Sequence, residues 1–300
     1  MKPELGMAST WQKTQEFYNW ILESGDARTD PWPLVYSPLP VTLIFTSYLF
    51  MVALGPSYMR QRQRLELRAL LLTYNLAMVA LSSYMFYEFL VTSVLANYSY
   101  LCQPVDYSRS ELGMRTPGGQ GYSMVENVSI LGKALTAVSC AAQQMARVCW
   151  WFFFSKIIEL LDTVFLILRK KQEQVTFLHV YHHGSMLFNW WSGVKYVPGG
   201  QAFFIGMLNS FVHIFMYGYY ALAGLGPRMH RHLWWKRYLT ILQLCQLVAI
   251  AAHSSYNLFT ECPFPDGFNT AVFVYILSLL ALFLHFYYWT YIRQKWEKLT

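Results

Sequence analysis

Charge is scarce in this chain. Only 13% of its 300 residues are Asp, Glu, Lys or Arg, against roughly a quarter in soluble globular domains, and the shortage argues against a water-soluble fold. Cysteine is scarce too: there are 5, with no Cys-x-x-Cys among them, which excludes a zinc ribbon or dithiol redox motif of that spacing. Of 8 histidines, three form a single His-x-x-His-His, and no second box of that kind follows. An apolar block near the start is also missing. The first begins at Pro38 and others follow it, which argues against a cleaved signal peptide.

What is abundant is apolar sequence, 55% of the chain and gathered in blocks. Seven blocks approach the roughly 20 residues that a membrane helix needs: about 38–54, 68–95, 148–168, 177–197, 202–225, 239–259 and 271–291. The expected fold is all-α, a multi-pass membrane protein with seven transmembrane helices. Residues 1–30 form an outer segment with an amphipathic patch at Trp11, Phe17, Tyr18 and Trp20, residues 31–292 the seven-span domain, and residues 293–300 an inner tail. Pro38 and Pro40 open the first span and Gly55-Pro56 closes it.

The net charge of +7 is concentrated in alternate loops: Arg60 to Arg68, Arg169 to Lys171, Arg228 to Arg237, and Arg293 to Lys298. By the positive-inside rule these are cytosolic, which puts the N-terminus outside and the C-terminus inside. Topology thus accounts for the basic residues, and no nucleic-acid partner is expected. Cys102 and Cys262 fall in two different outer loops, where a disulfide persists. They are expected to be joined, with Cys140 as the competitor. Asn97 and Asn127 each begin an Asn-x-Ser glycan acceptor, Asn97 close to the membrane. Between Asn97 and the third span, the segment Thr116 to Gln144, which contains Asn127, opens with Pro117-Gly118-Gly119 and continues too polar and interrupted for a span. It reads as a long outer loop.

Ionisable residues inside the blocks are the candidates for chemistry. His179, His182 and His183 share one helical face. Lys156, Glu159 and Asp162 recur every third residue along another. Each would cost about 2.5–3.5 kcal/mol if left unpaired at mid-bilayer, so mutual pairing inside a bundle is expected. From the predicted inner boundary, His182 lies roughly 8–10 Å deep and Glu159 and Asp162 roughly 9–14 Å, at about 1.5 Å per residue. The two motifs can therefore meet. Asn209, His213 and Tyr217, with Met216 beside them, form a third polar stripe, and Thr240, Gln243 and Gln246 a fourth, with His253 two turns deeper. The bland alternatives are a packed histidine cluster, a structural ion-pair network and interhelical hydrogen bonds. His285, His230 and His232 read as structural or solvated.

Four motifs in order resemble the fatty acid elongase family: Lys-x-x-Glu-x-x-Asp-Thr at 156–163, His-x-x-His-His at 179–183, His-x-x-Met-Tyr at 213–217, and Thr-x-x-Gln-x-x-Gln at 240–246. The segments 199–204 and 262–265 resemble the animal branch that acts on polyunsaturated or very-long-chain acyl groups. The resemblance implies seven helices in the endoplasmic reticulum membrane, six of them enclosing an acyl-chain tunnel. It also implies condensation of a fatty acyl-CoA with malonyl-CoA to 3-oxoacyl-CoA, CoA and carbon dioxide, with no metal or redox cofactor. Partners would be membrane lipid, the 3-oxoacyl-CoA reductase, 3-hydroxyacyl-CoA dehydratase and enoyl-CoA reductase of the later steps, and a second copy of the chain. An imidazole of ordinary pKa about 6.5 can attack a thioester. By resemblance His182 is that nucleophile and His213 its partner, with His179 and His183 orienting it or handling protons. Asn209, Gln243 or Gln246 would stabilise an enolate oxygen, Glu159 and Asp162 would position the histidines, Lys156 would offset their charge, and Tyr217 completes its motif. Arg169, Lys170, Lys171, Lys236 and Arg237 are the candidates for the CoA phosphates. Two rival classes remain open. One is a di-iron desaturase or hydroxylase, which would need more histidine boxes; the other is a non-enzymatic seven-span receptor or transporter.

Two features depart from the family pattern. Lys298 follows Glu297 at the tail, so the two-lysine retrieval signal is incomplete. The loop containing Thr116 to Gln144 is much longer than the family's, as a variant exon or a gene-prediction artefact would make it. Deletion of residues 116–144 is expected to leave malonyl-CoA-dependent chain extension intact in isolated membranes; loss of both expression and activity would make the segment structural.

Overall fold

A chain that crosses hydrocarbon must satisfy its backbone donors and acceptors within each segment, which favours helices. The computed structural model describes residues 4–105 and 130–293, with only the main chain described at 4–8, 130–143, 227 and 230. Among the described residues there are eight α-helices and no strand: α1 (Glu4–Glu23), α2 (Pro38–Arg60), α3 (Arg68–Leu95), α4 (Ile130–Leu168), α5 (Phe177–Tyr196), α6 (Ala202–Gly224), α7 (Lys236–Phe259) and α8 (Asp266–Tyr287), the last continued by a π-helical turn to Arg293. Asn127, the start of the long loop and the tail beyond Arg293 lie outside the described residues.

Five helices, α2, α3, α6, α7 and α8, are long and apolar enough to cross a membrane. The two expected spans not among them, α4 and α5, are those that carry the lysine, acids and histidines. Among the described residues the regular structure is all helical, with the several long apolar helices of a multi-pass membrane protein.

The two largest departures from the sequence reading are in α2 and α4, while α7 and α8 start earlier than expected, at Lys236 and Asp266. The first span runs through Gly55-Pro56 to Arg60. At Gly55 α2 approaches α4 so closely that an added Cβ would lie 3.0 Å from Ile167; this packing holds the helix together past a proline that removes only one hydrogen bond near its end. The stretch expected as a loop up to Gln144 is helical from Ile130 onward, and α4 is 39 residues long. At about 1.5 Å per residue it extends far beyond a bilayer's hydrocarbon thickness.

Short local signals fix how the helices turn back. At the end of α4, Lys170 adopts a left-handed φ of 58°, and its N–H bonds to Ile167 O while that of Lys171 bonds to Leu166 O. This double bond is a Schellman stop. Thr176 then caps α5 by accepting the N–H of His179 through its hydroxyl at 3.3 Å. The cap sets the start of α5, and so places all three histidines in its first two turns. Between α5 and α6, Gly200 has φ +50° and faces Val105 and Phe264 at distances that admit no side chain.

Going around the bundle, α3, α4, α5, α8, α7 and α6 each touch the next, and α6 returns to α3. The six helices close a ring, with α2 packed outside on α4 and α5. The principal core lies where α3, α4, α5 and α6 meet, around Phe89, Phe152, Leu187, Trp190 and Phe203. Buried Lys195 near the end of α5 bonds to Asp30 (2.7 Å) and to Leu22 O (2.9 Å), tying down the segment before α2. On α1, Trp11, Phe17 and Trp20 are exposed, whereas Tyr18 turns inward to Ser37. Asn97 is exposed two residues beyond α3.

Cys102 and Cys262 form a disulfide between the segment after α3 and the turn between α7 and α8. The bridge spans 160 residues of sequence, so its loss frees a long stretch of the unfolded chain. Cys102→Ser is expected to cost about 2–5 kcal/mol, measurable as a lower thermal midpoint in detergent; no shift, or free thiols at both positions on non-reducing peptide mapping, would contradict the bridge.

Candidate active site beside an internal cavity

The stop on α4 and the cap on α5 set two antiparallel helices side by side with their polar stripes in register. The centre of the stripe on α4 is Glu159. One of its oxygens, Oε1, accepts from Lys156 Nζ at 2.8 Å and from Ser155 Oγ at 3.4 Å, and His213 Nδ1 of α6 lies 3.4 Å away. Lys156 and Glu159 are each 1% exposed. Lys156 also donates to Asn209 Oδ1 at 3.0 Å and sits 4.1 Å over the ring of Phe152. A buried cation is tolerable only with such compensation.

The remaining members pair differently. Asp162 accepts from the hydroxyl of Tyr217 at 2.9 Å rather than from a histidine, so of the two acids it is Glu159 that reaches one. His179 Nε2 is 2.7 Å from the hydroxyl of Thr163, which lies 3.3 Å from that of Tyr48 on α2. The His179 ring stacks obliquely on His183 at 4.5 Å, and His182 stands edge-on to His183 at 5.4 Å. Among the described residues His182 and His183 make no side-chain hydrogen bond, and of the four histidines on α5 and α6 only His182 lines the cavity.

That cavity, about 90 Å³, starts beside His182, Asn209 and Gln246 and continues between α5, α6, α7 and α8. Its walls are apolar, with Ile205, Leu247, Ile250 and Ile276 among them, and it ends near Gln201, Phe264 and Asn269. From His182 to Val197 the lining follows α5 for about 22 Å at 1.5 Å per residue. Because Lys156 occupies Asn209 Oδ1, the amide nitrogen of Asn209 is left as the donor on the cavity side.

Other expected site residues fall elsewhere. Gln243 donates to Met216 Sδ at 3.6 Å, and Thr240 is 3.3 Å from the hydroxyl of Tyr291. His253 stacks on Phe204 at 4.4 Å at the opposite end of the cavity. Arg169, Lys170, Lys171, Lys236 and Arg237 are exposed at the histidine end of the bundle. Lys170 bonds to Arg60 O, Lys171 lies 3.7 Å from Glu173, and Arg237 bonds to the hydroxyl of Tyr287. Exposed His285 lies by Trp289, and exposed His232 accepts from its neighbour Arg231. Among the described residues no three His, Cys, Asp or Glu side chains converge as metal ligands would.

Several contributors carry no signal in the sequence. Tyr74 of α3 bonds to Ile158 O and packs edge-on against Tyr217. Tyr181 and Ser185 of α5 bond to Ser278 and Tyr275 of α8, fastening the histidine helix to the far wall of the cavity. An aromatic or a serine in an apolar helix is too ordinary to single out without the fold.

Fold and site together define a multi-pass helical membrane protein whose ionisable side chains converge at the mouth of an apolar cavity. The chain belongs to the GNS1/SUR4 family, whose model matches residues 33–299. It is 44% identical over 292 residues to very long chain fatty acid elongase 4 of Mus musculus (97% of this chain, 84% of the relative). With the human elongase 4 it shares 45% over 285 residues (95% and 82%), and with elongase 7 of Rattus norvegicus 40% over 288 residues (94% and 91%).

Removing one member of the buried pair strands the other. Lys156→Met is expected to destabilise the protein by about 3–5 kcal/mol, and Lys156→Met combined with Glu159→Leu to recover part of that loss. Thermal midpoints of the purified variants check this; a double variant no more stable than the single one would show that the pair is not the source of the cost.

Proposed function

We propose that the protein condenses a long-chain or very-long-chain fatty acyl-CoA with malonyl-CoA, giving 3-oxoacyl-CoA, CoA and carbon dioxide. The observation that carries the reading is His182. It is the histidine of the cluster that lines the cavity, and its side chain is committed to no hydrogen bond among the described residues. Family membership and the names of the relatives support fatty acid elongation as the setting.

The chemistry runs in two halves. A ring nitrogen of His182 attacks the thioester carbonyl, the carbon–sulfur bond breaks, and CoA leaves as a thiolate that takes up a proton. Malonyl-CoA then loses carbon dioxide, and the electron pair of the broken carbon–carbon bond becomes an enolate. The enolate carbon attacks the acyl carbonyl, the bond to His182 breaks, and 3-oxoacyl-CoA leaves. In this reading the Asn209 amide nitrogen and Gln246, which both line the cavity, donate to the enolate oxygen. His213, held through Nδ1 by Glu159, keeps Nε2 for proton transfer. His179, tethered by Thr163, positions the cluster.

In this reading the chain has seven spans in the endoplasmic reticulum membrane, with its N-terminus lumenal and its C-terminus cytosolic, and the ring of six helices encloses the acyl chain. The exposed basic residues at the histidine end then lie where the CoA phosphates enter. The reductases and dehydratase of the later steps are the partners that consume the product, and no metal or redox cofactor takes part.

Purified protein given acyl-CoAs of several lengths with labelled malonyl-CoA is expected to release labelled 3-oxoacyl-CoA. His182→Ala should lower that rate at least about a hundredfold, and intact mass after acyl-CoA alone should show one added acyl group. Absence of product at every chain length would refute the reaction, and an unimpaired His182→Ala would refute the nucleophile.

A further inference from the structure

Helix α8 borders two spaces over the same turns. Phe268, Val272, Ile276 and Leu279 line the cavity, whereas Gly267, Ala271, Val274 and Ser278 line an open groove along an adjoining face. Gly267, Ala271 and Val274 are exposed, and because α8 is long and apolar enough to cross a membrane, the groove opens toward lipid. At 3.6 residues per turn Tyr275 falls between the two sets, and it lines both spaces. Tyr181 of α5 borders the groove as well, and its neighbour His182 lines the cavity. Of the neighbours around the ring, α5 and α8 touch most sparsely. Across that seam Ser185 Oγ donates to the hydroxyl of Tyr275 at 2.9 Å, and the hydroxyls of Tyr181 and Ser278 lie 2.8 Å apart.

A long acyl chain partitions into the bilayer before it binds, and lipid tails are as apolar as the cavity wall. Entry through water at the histidine end would expose its methylenes, which is unfavourable. Entry across the seam keeps the chain in apolar surroundings and leaves its CoA head at the histidine end, where the exposed basic residues lie. Moving Tyr275 aside breaks interhelical hydrogen bonds of a kind that is modest in membranes. We infer that the groove docks the acyl chain from the lipid side and that Tyr275 is the gate through which the chain passes into the cavity. The inference rests on the cavity being the acyl site proposed above.

Tying the seam shut tests the gate. Tyr181→Cys with Ser278→Cys, in a Cys140→Ser, Cys245→Ser background, is reconstituted in liposomes and bridged with a short bis-maleimide. The probe is a labelled long-chain alkyl-CoA thioether, which His182 cannot cleave. Against the same variant left unbridged, bridging before loading is expected to slow binding, and bridging after loading to slow release, each at least about tenfold. Tyr275→Ala should speed both about tenfold while changing Kd little, whereas mere damage to the fold would weaken Kd. Binding and release rates unaffected by the bridge, or a weakened Kd without slower release, would overturn the gate. Slowed exchange in a protein that extends no acyl-CoA with malonyl-CoA leaves the gate standing and sinks the condensation reading. Failure of the unbridged protein to bind the thioether would overturn both.

Discussion

A lysine and a glutamate buried together among apolar helices constrain everything around them. Lys156 cannot be left in that setting with a single partner, and the structure surrounds it with a carboxylate, an amide oxygen and an aromatic face. Those partners come from α4 and α6, so the pair sets the spacing and rotation of two helices at once. The same carboxylate oxygen reaches His213. Satisfying a buried charge and orienting a histidine are here one arrangement, and loss of the charge pair would disturb both.

A division of labour among the histidines follows. His179 and His213 are held through one ring nitrogen, by a hydroxyl and by a carboxylate respectively. His182 is held by packing and by its place on a capped helix, and it lines the cavity. Asn209 shows the same economy, with its oxygen turned to the lysine and its nitrogen to the cavity. The walls beyond are apolar until the far end, where polar groups return. A cavity with polar ends and an apolar middle suits an extended chain bearing a reactive head.

Much of the fold could be read from the sequence because apolar periodicity and length are local properties. The bounds of α3, α5 and α6 match the apolar blocks within a residue or two. The four stripes were legible because polar residues in hydrocarbon stand out against their background. The overrun at Pro56 and the start of α4 at Ile130 were not. A proline near a helix end and a mildly polar stretch are ambiguous locally, and packing against neighbouring helices decides them.

By itself the sequence determined that the chain is helical and membrane-spanning, and which ionisable residues share a face. Those properties follow from spacing along one helix and from the cost of charge in an apolar medium. Only the tertiary structure decided that Asp162 pairs with Tyr217, that Glu159 is the acid that reaches a histidine, and that Gln201 and Asn269 line the same cavity as His182. These pairings join residues tens of positions apart on different helices. They depend on how each helix is rotated against its neighbours, a property of the packed bundle that no segment carries alone.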